Sequence, residues 1–530
     1  MKNKILLSVA MLASVSVASS QSIYDLGNFS SGDLIGTARY VGMGGAMNAL
    51  GADLSVMSSN PAGIGLYRSS DIAGTVSIAS QADADKFDGK SKTHVSFDNL
   101  GMVYAMNLGG RTSKYFNFGF NYRKHKDFNT LINTGMQNIA GNVSQLWQLA
   151  DLATYWDAYA YGDNPTTGYN ATKYFTPLTQ IAYNNGLITR NTDGSYSSYG
   201  ATANGYHQAQ WGSLQDYDLD FALNLSNQVY LGFTVGVYNV DYNSYYEYGE
   251  DVVNSSGVSQ GSYTIKSKDR ITGSGVDMKA GIIVRPIKDN PFRIGFSINT
   301  PTYYDLKHRY SIGNSNTYEY KYNIQTPWKF NFSLGSTFFN QLAVGAEYEY
   351  TDYSKAKVTY DNGDWDSWGN NTDDDEALKD EANKYLKGVS TFKIGAELFV
   401  DPKVCIRVGY NYVSSPYDKG AFYNQYINSQ SLDEASSTAY MNLSSINRWT
   451  VGLGVNLGKF YADVAYMYQN QHGDFYAFNT QYGDRTTSYS QYDAYINTNP
   501  SAADMYKNDI SGTRIQLNRS KFILTLGYRF

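Results

Sequence analysis

The residue types that most often carry out chemistry are few in this chain and far apart in sequence. Its five histidines are scattered: His94, His125, His207, His308 and His472. The single cysteine is Cys405, and there is no G-x-S-x-G elbow, phosphate-binding loop or C-x-x-C pair. No nucleophile, base and orienting group are indicated together, and no metal or haem ligand set is evident. The sequence predicts a protein that is not an enzyme and has no cofactor.

The densest acidic stretch is DNGDWDSWGNNTDDDEALKDEANKYLKG, from Asp361 to Gly388. Carboxylates in a loop are suitable ligands for Ca²⁺, but Asp361, Asp364 and Asp366 lack the spacing and the distal Glu of an EF-hand loop. Acidic residues in a first turn and lysines in a last turn instead favour a helix. We expect a solvated helix that begins near Thr372 and ends at Gly388, and no metal site.

The amino-terminal residues predict secretion. Lys2 and Lys4 precede an apolar stretch from Ile5 to about Ala18, which small residues follow. We interpret residues 1–20 as a signal peptide whose removal takes two lysines and changes the formal net charge from -6 to about -8. No later run of about eighteen apolar residues predicts a membrane helix, and one cysteine cannot form an intramolecular disulfide framework.

The strand signal is clearest in the last ten residues, KFILTLGYRF. One face of this alternating segment carries only apolar and aromatic residues: Phe522, Leu524, Leu526, Tyr528 and Phe530. The same period-two pattern recurs along the chain and predicts about fourteen strands. They are 71–80, 95–108, 115–128, 214–225, 229–245, 263–285, 292–310, 318–338, 341–359, 388–400, 404–415, 446–457, 460–476 and 518–530.

Short and long connections alternate between these strands. Tight turns, such as Ser226 to Gln228, interleave with longer links, of which the longest are 129–213, 360–387, 416–445 and 477–517. Short periplasmic turns and long external loops are the outer-membrane pattern. We predict an all-β fold, a transmembrane antiparallel β-barrel of about 14 strands over residues 71–530. A large secreted β-solenoid or sandwich is the alternative.

Charged residues of both signs fall on the inward faces of the predicted strands. A Lys or Arg facing lipid near the midplane would cost roughly 2 to 4 kcal/mol. We therefore expect Glu347, Glu349, Lys393 and Arg407 to point into the lumen, where they pair with one another or hold water.

Residues 21–70 precede the first strand and lack its alternation. They are rich in Gly and Ala, as in GMGGAMNALGAD at 42–53 and NPAG at 60–63, which lets backbone pack closely. A barrel of about fourteen strands leaves a hole unless something fills it. Apolar residues such as Leu54 and Ile64 also need burial. We expect this segment to fold back into the lumen as a hatch; a disordered periplasmic tail is the alternative.

The chain resembles the FadL/TodX family of outer-membrane transporters for hydrophobic compounds. The resemblance rests on the predicted barrel, the terminal Phe530 and the hatch residues Arg39, Gly44, Gly45, Asp53, Asn60, Pro61, Ala62 and Gly63. It implies passive uptake of long-chain fatty acids or other hydrophobic small molecules, with loop capture, hatch gating and lateral exit. It also implies residence in the outer membrane of a Gram-negative bacterium, among lipid and lipopolysaccharide, with no nucleic-acid partner.

The resemblance implies that the lateral exit uses a break in the third strand. Tyr115 to Phe128 contains Gly119 but no proline, whereas Pro301 and Pro327 fall in the seventh and eighth strands. Because proline cannot donate to a sheet ladder, these two positions indicate either a break in the wall or strand ends near the outer rim. We favour strand ends.

The longest predicted loop contains an amphipathic stretch from about Met136 to Ala160. The apolar face of a helix in a loop must pack against another surface. We expect Leu146, Trp147, Tyr155 and Trp156 to form one wall of an apolar capture groove. A cap that packs on other loops without binding cargo is the alternative.

Two other functions fit the same barrel. A general porin would conduct ions well, whereas a plugged barrel would conduct poorly. A secretion-accessory barrel, similar to a shuttle protein of the type IX secretion system with a related Asn-Pro-Ala hatch, would use its long loops to bind a protein partner.

Overall fold

The computed structural model describes residues 22–530, with gaps at 83, 135–143, 164–174, 254–257, 289, 314–316, 367–368, 428, 430–434 and 479–511. The predicted signal peptide, residues 1–20, lies outside these described residues. Within them, no helix combines the length and the apolarity that crossing a membrane requires.

Fourteen antiparallel strands form one closed barrel, so the predicted fold class is confirmed. The strands are β1 Asp71–Gln81, β2 Thr93–Asn107, β3 Ser113–Asp127, β4 Gly200–Leu225, β5 Val229–Val253, β6 Ser259–Val284, β7 Arg293–Asn299 with Tyr303–Ile312, β8 Tyr318–Gln325 with Lys329–Phe338, β9 Leu342–Asp352 with Lys357–Asp366, β10 Gly388–Asp401, β11 Val404–Val413, β12 Ile446–Leu457, β13 Phe460–Asn470 and β14 Arg519–Arg529. β1 pairs with β14 along its whole length, which closes the wall.

The helices lie before the first strand and in the loops. They are α1 Ile23–Ser30, α2 Ala38–Gly42, α3 Gln145–Asp163, α4 Pro177–Asn184 and α5 Glu376–Tyr385, with 3-10 turns at Leu54–Ser58, Pro61–Leu66 and Tyr353–Lys355. Two short strands, Thr130–Thr134 and Gly369–Asp374, extend the barrel sheet. The others form a hairpin of Ile188–Arg190 with Tyr196–Ser198 and a sheet of Tyr440–Leu443, His472–Tyr476 and Thr513–Gln516.

The two faces of the wall differ in chemistry because side chains alternate along each strand. On β4, Leu219 and Phe221 are exposed on the outside, whereas the alternating residues Asp218 and Asp220 are fully buried. Comparable exposed apolar residues occur on the other strands, which gives a continuous apolar belt. Such a belt is far larger than a soluble surface tolerates and matches the lipid-facing band of an outer-membrane barrel.

Two strands extend far beyond their predicted bounds. β4 begins at Gly200 rather than at 214, and β5 ends at Val253 rather than at 245, so the link predicted as 129–213 ends near residue 199. The extensions rise above the apolar belt. There neither face of the sheet meets lipid, so the alternation that reveals a strand in the sequence is lost.

The acidic segment also differs from its predicted form. Thr372 lies in the strand Gly369–Asp374, which pairs with the outer part of β9. Helix α5 starts after Asp375, whose Oδ1 accepts a hydrogen bond from the Leu378 backbone N–H at 3.0 Å, and ends at Tyr385 rather than at Gly388. This capping bond fixes the first helical residue, because it satisfies a donor that has no partner within the helix.

β7, β8 and β9 are interrupted at one common level of the barrel. Pro301 and Pro327 occupy the first two interruptions. The backbone remains paired there, since Thr326 N–H donates to the Thr302 carbonyl oxygen at 3.0 Å. Trp328 is exposed on the outer face, as expected of an aromatic girdle residue at the edge of the lipid. Pro301 and Pro327 therefore lie within β7 and β8 and not at strand ends near the outer rim, and the wall remains paired beside them.

Candidate functional site

The chain from Ser22 to Tyr67, called here the N-terminal segment, lies inside the barrel and is almost entirely buried. Helix α2 packs on β11, β12, β13 and β14, whereas the turn Pro61–Leu66 packs on β4, β5 and β6 on the other side. The segment therefore crosses the lumen from wall to wall.

The residues of the predicted hatch motif stabilise the local turns of this segment. The Asn60 side-chain oxygen accepts from Ala62 N–H at 3.2 Å, and Pro61 occupies the first position of the turn, where no backbone donor is needed. Asp53 accepts from Ser55 N–H at 2.9 Å and from the Thr37 hydroxyl. These side chains satisfy backbone donors in a region that has little regular secondary structure.

Arg39 links the N-terminal segment to the wall. Its Nη2 lies 2.8 Å from Glu397 Oε2. Glu397 also accepts from Arg407 Nε at 2.7 Å, and Arg407 Nη1 reaches Asp463 Oδ1 at 2.6 Å. The two arginines and two carboxylates form one chain of charge-assisted bonds across α2, β10, β11 and β13.

Glycine allows segment and wall to meet backbone to backbone. Gly44 and Gly45 have φ values of +63° and +81°, which favour glycine, and a Cβ on Gly63 would lie 2.5 Å from a Val56 methyl carbon. Wall glycines that face the segment form what we call the glycine belt: Gly101, Gly119, Gly232, Gly281, Gly295, Gly335, Gly345, Gly395, Gly409 and Gly452. A side chain at most of these positions would displace the segment.

The predicted luminal charges pair inside the barrel. Lys393 Nζ lies 3.3 Å from Glu347 Oε2 and 3.5 Å from Glu349 Oε2, and Glu347 also accepts from Asn48 N–H at 2.6 Å. Arg407 belongs to the separate Arg39 network. Neighbouring strands therefore supply the partners of these groups.

Two cavities lie beside the N-terminal segment, one on each side of its helix α1. The outer cavity has a volume of about 360 Å³ and the inner cavity about 150 Å³. On β6, Asp269 and Ile271 line the outer cavity and Asp277 the inner one, so the outer cavity is nearer the long loops. Residues 31–33 line both cavities. Helix α1 and the residues that follow it therefore separate two chambers.

The outer cavity combines aromatic and polar walls. Tyrosine is its most frequent lining residue, and Ser, Gln and Asp side chains lie between the rings. Asp25 on α1 accepts from the Ser22 backbone N–H and hydroxyl, both at 3.0 Å. Burial raises the pKa of the Asp25 carboxyl, whereas these two hydrogen bonds and the nearby His308 lower it. The cavity can therefore bind a small amphipathic molecule.

The predicted groove residues lie on α3, which packs with other loops, among them residues 421–426, in an apolar cluster that we call the external cap. Leu146, Tyr155 and Trp156 on α3 are buried, and Trp147 is half-buried. The Tyr155 ring packs edge-on against Tyr426 at a centroid distance of 5.4 Å. None of the four lines the outer or the inner cavity. The start of the predicted helix, residues 136–143, lies outside the described residues.

β2 and β3 separate in their outer halves. Their pairing runs from Asn107↔Tyr115 to Asn99↔Arg123 and stops there. Beyond this point Thr93–Phe97 pairs only with β1, and Asp98 lies in a bulge. Lys124–Asp127 pairs only with β4, next to a bulge at His125. We call this separation the β2–β3 gap. His94 Nε2 and Asp127 Oδ2 approach to 2.9 Å across it.

The outer end of β3 turns toward the lumen because it binds the N-terminal segment. Asp33 N–H donates to the His125 carbonyl oxygen at 2.9 Å, and Asp127 N–H donates to Asp33 Oδ2 at 3.0 Å. Phe128 then packs against Phe29 of α1, with ring centroids 6.3 Å apart. No proline in β3 marks this break in the sequence. The break arises instead from a contact with a segment about ninety residues away in the chain.

The histidines take part in structural contacts of this kind, and no catalytic arrangement of them is seen among the described residues. His308 Nε2 lies 3.3 Å from Asp269 Oδ1 on the neighbouring strand. Over the part of the chain that the structure covers, no three His, Cys, Asp or Glu side chains are grouped so as to hold a metal ion.

Comparison with solved structures identifies the fold. Over 94% of its length the chain matches the whole of a FadL homologue from Pseudomonas aeruginosa, with a TM-score of 0.54 and 11% sequence identity. It therefore has the FadL-like fold, and the resemblance seen in the sequence is confirmed at that level. The toluene transporters TbuX of Ralstonia pickettii and TodX of P. putida match over the same 94% and over 99% of their own lengths. Their TM-scores are 0.46 and 0.45, and their identities 12% and 11%. No protein-family model and no curated protein matches the sequence.

Proposed function

We propose that this protein is an outer-membrane channel for passive uptake of small hydrophobic or amphipathic molecules in a Gram-negative bacterium. In the proposed route, cargo passes the external cap, binds in the outer cavity and leaves sideways into the membrane through the β2–β3 gap. The N-terminal segment acts as a hatch that closes the direct route to the periplasm. Among such cargoes the family resemblance implies long-chain fatty acids, whose carboxylate would have to bind in the outer cavity.

The observation that carries the proposal is the position of the β2–β3 gap. Lys126, Asp127 and Phe128, at the outer end of β3, line the outer cavity. On β2 beside the gap, Val95 is 75% exposed on the outer, apolar face. The cavity therefore reaches the β3 side of the gap, and apolar outer surface lies on its β2 side. A hydrophobic molecule that follows this path avoids both the charged inner chamber and the periplasmic water.

The attachment of the N-terminal segment to the barrel wall also favours lateral exit over passage into the periplasm. Hydrogen bonds from Thr450 to the Gly42 carbonyl oxygen at 3.1 Å and from Ser297 to the Ser59 carbonyl oxygen at 2.7 Å attach the segment to opposite walls. Together with the glycine belt, such bonds oppose displacement of the hatch during transport.

Tethering the two strands across the gap tests the proposal. A His94→Cys/Asp127→Cys protein in a Cys405→Ala background is joined with a short bifunctional thiol reagent and reconstituted in liposomes. We expect the tether to block most uptake of a fluorescent hydrophobic probe and reduction of the linker to restore it. The matched control is Tyr104→Cys/Phe118→Cys, since these residues already lie opposite each other on β2 and β3.

Unchanged uptake in the tethered protein would refute exit through the gap. High ion conductance of the untethered protein in planar bilayers would instead favour a general porin.

A further inference from the structure

The chemistry of the outer cavity narrows the class of cargo, given the transport function proposed above. Its lining includes the carboxylates Asp25, Asp33, Asp127 and Asp269, but only one lysine and one arginine, Lys126 and Arg519. An anionic cargo would enter a chamber that already carries excess acid.

Both cations are bonded to the protein. Lys126 has no donor left for a ligand, whereas Arg519 Nε has no hydrogen-bond partner among the described residues. An ammonium group has three donors, and Lys126 uses its three on the Asn28 carbonyl oxygen, the Asn28 side-chain oxygen and the Ser31 hydroxyl, at 2.7, 2.6 and 2.6 Å. Arg519 binds with Nη2 to the Asn129 carbonyl oxygen and to the Thr130 hydroxyl. These bonds join β3 and β14 to neighbouring loops, so both cations have structural roles.

Two of the carboxylates lack strong neutralising partners. Asp127 pairs with His94 and Lys124, and Arg448 Nη2 lies 3.6 Å from Asp33. Within the described residues, no Lys or Arg nitrogen lies within 4 Å of Asp25 or Asp269. Asp269 is bonded to the Ser436 hydroxyl at 2.8 Å and to His308. A carboxylate ligand beside this pair would be repelled, because charges attract and repel more strongly away from bulk water.

The remaining lining favours a different ligand. Tyrosine rings, among them Tyr206, Tyr242 and Tyr246, offer flat apolar surface, and carboxylate, Ser and Gln oxygens accept hydrogen bonds. A hydroxyl or amide group on an apolar or aromatic body matches both features, whereas a bare hydrocarbon would leave the acceptors without partners.

We infer that the outer cavity binds uncharged amphiphiles that carry hydrogen-bond donors, such as alkylphenols or long-chain alcohols, and selects against fatty-acid anions. Asp25 and Asp269 are the residues that set this selectivity.

Two probes with the same apolar body test the inference, 4-pentylphenol and 4-pentylbenzoate, titrated into the full-length protein in maltoside micelles at pH 7.5 by calorimetry. We expect the phenol to bind at least about tenfold more tightly than the benzoate. An Asp25→Asn/Asp269→Asn variant keeps the shape and one acceptor oxygen of each side chain and removes the charge. It should reduce that ratio to within about threefold, mainly through tighter benzoate binding. The control Asp305→Asn changes an exposed carboxylate on the outer face of β7 and should leave the ratio unchanged.

The outcomes separate this inference from the proposed function. Benzoate binding as tight as or tighter than phenol binding would overturn the cargo class and leave the transport route intact. A strong preference for phenol that the double variant does not alter would overturn the role of Asp25 and Asp269. If neither probe binds and neither crosses liposomes that contain the protein, the proposed function itself fails.

Discussion

The contact between the glycine belt and the N-terminal segment gives the sharpest prediction about stability. In a Gly345→Ala protein the added Cβ would lie 2.1 Å from the Ala46 carbonyl oxygen. Ordinary contact requires a separation greater by about 1 Å, and neither atom can move alone, because one belongs to the wall and the other to the backbone of the segment. Overpacking of this kind typically costs about 1 to 3 kcal/mol.

The cost should fall on the segment, since the barrel wall is held by two continuous ladders on β9 while the segment is held by scattered bonds. We therefore expect hydrogen exchange in a peptide that covers residues 40–52 to accelerate by roughly 5- to 150-fold, which corresponds to about 1 to 3 kcal/mol of easier local opening. Exchange of the β9 and β10 amides should change much less. Hydrogen-exchange mass spectrometry of the protein in micelles measures both.

Gly74→Ala is the matched control. Gly74 is also a wall glycine, but the nearest atom to its added Cβ would be a Leu100 methyl carbon at 3.7 Å, which is an ordinary contact. If Gly345→Ala leaves exchange in residues 40–52 unchanged, or if Gly74→Ala accelerates it equally, the reasoning that the segment rests directly on the wall is refuted.

Two further substitutions test the charge network and the loop helix. Glu397→Gln leaves Arg39 without its carboxylate while Arg407 keeps Asp463, so we expect a loss of about 2 kcal/mol in denaturant unfolding. Glu319→Gln, in an exposed ion pair, should not shift the midpoint, and equal shifts in the two variants would contradict the special role of burial. Asp375→Ala removes the N-cap of α5, and we expect about 1 kcal/mol of local destabilisation, seen as faster exchange in residues 376–385 with an unchanged barrel; slower or equal exchange would argue against the cap.

The sequence carried enough information to predict the wall. Each lipid-facing strand repeats one physical rule, apolar outside and polar inside, and β14 shows it within ten residues. The inward positions of Glu347 and Lys393 followed from the same rule. The sequence also has opposite charges on neighbouring strands, so pairing between them was expected.

The candidate exit could not be predicted in the same way. β3 leaves β2 because His125 and Asp127 bind Asp33 of the N-terminal segment, and no local residue pattern encodes such a contact. The role of the α3 residues could not be decided from the sequence for a related reason. Leu146 and Trp156 have the spacing of an amphipathic helix, but that spacing cannot tell whether the apolar side meets a ligand or the core of a cap.

The seam between the first and last strands constrains how the molecule can be built. Ser70 and Phe530 exchange two backbone hydrogen bonds, at 3.1 and 3.0 Å, so the residue that ends the luminal portion of the chain is fastened directly to the carboxyl terminus. The contacts of the glycine belt with the N-terminal segment are too narrow for an added methyl group. We therefore expect the strands to assemble around a segment that already lies in the lumen, with the pairing of β1 and β14 as a late step.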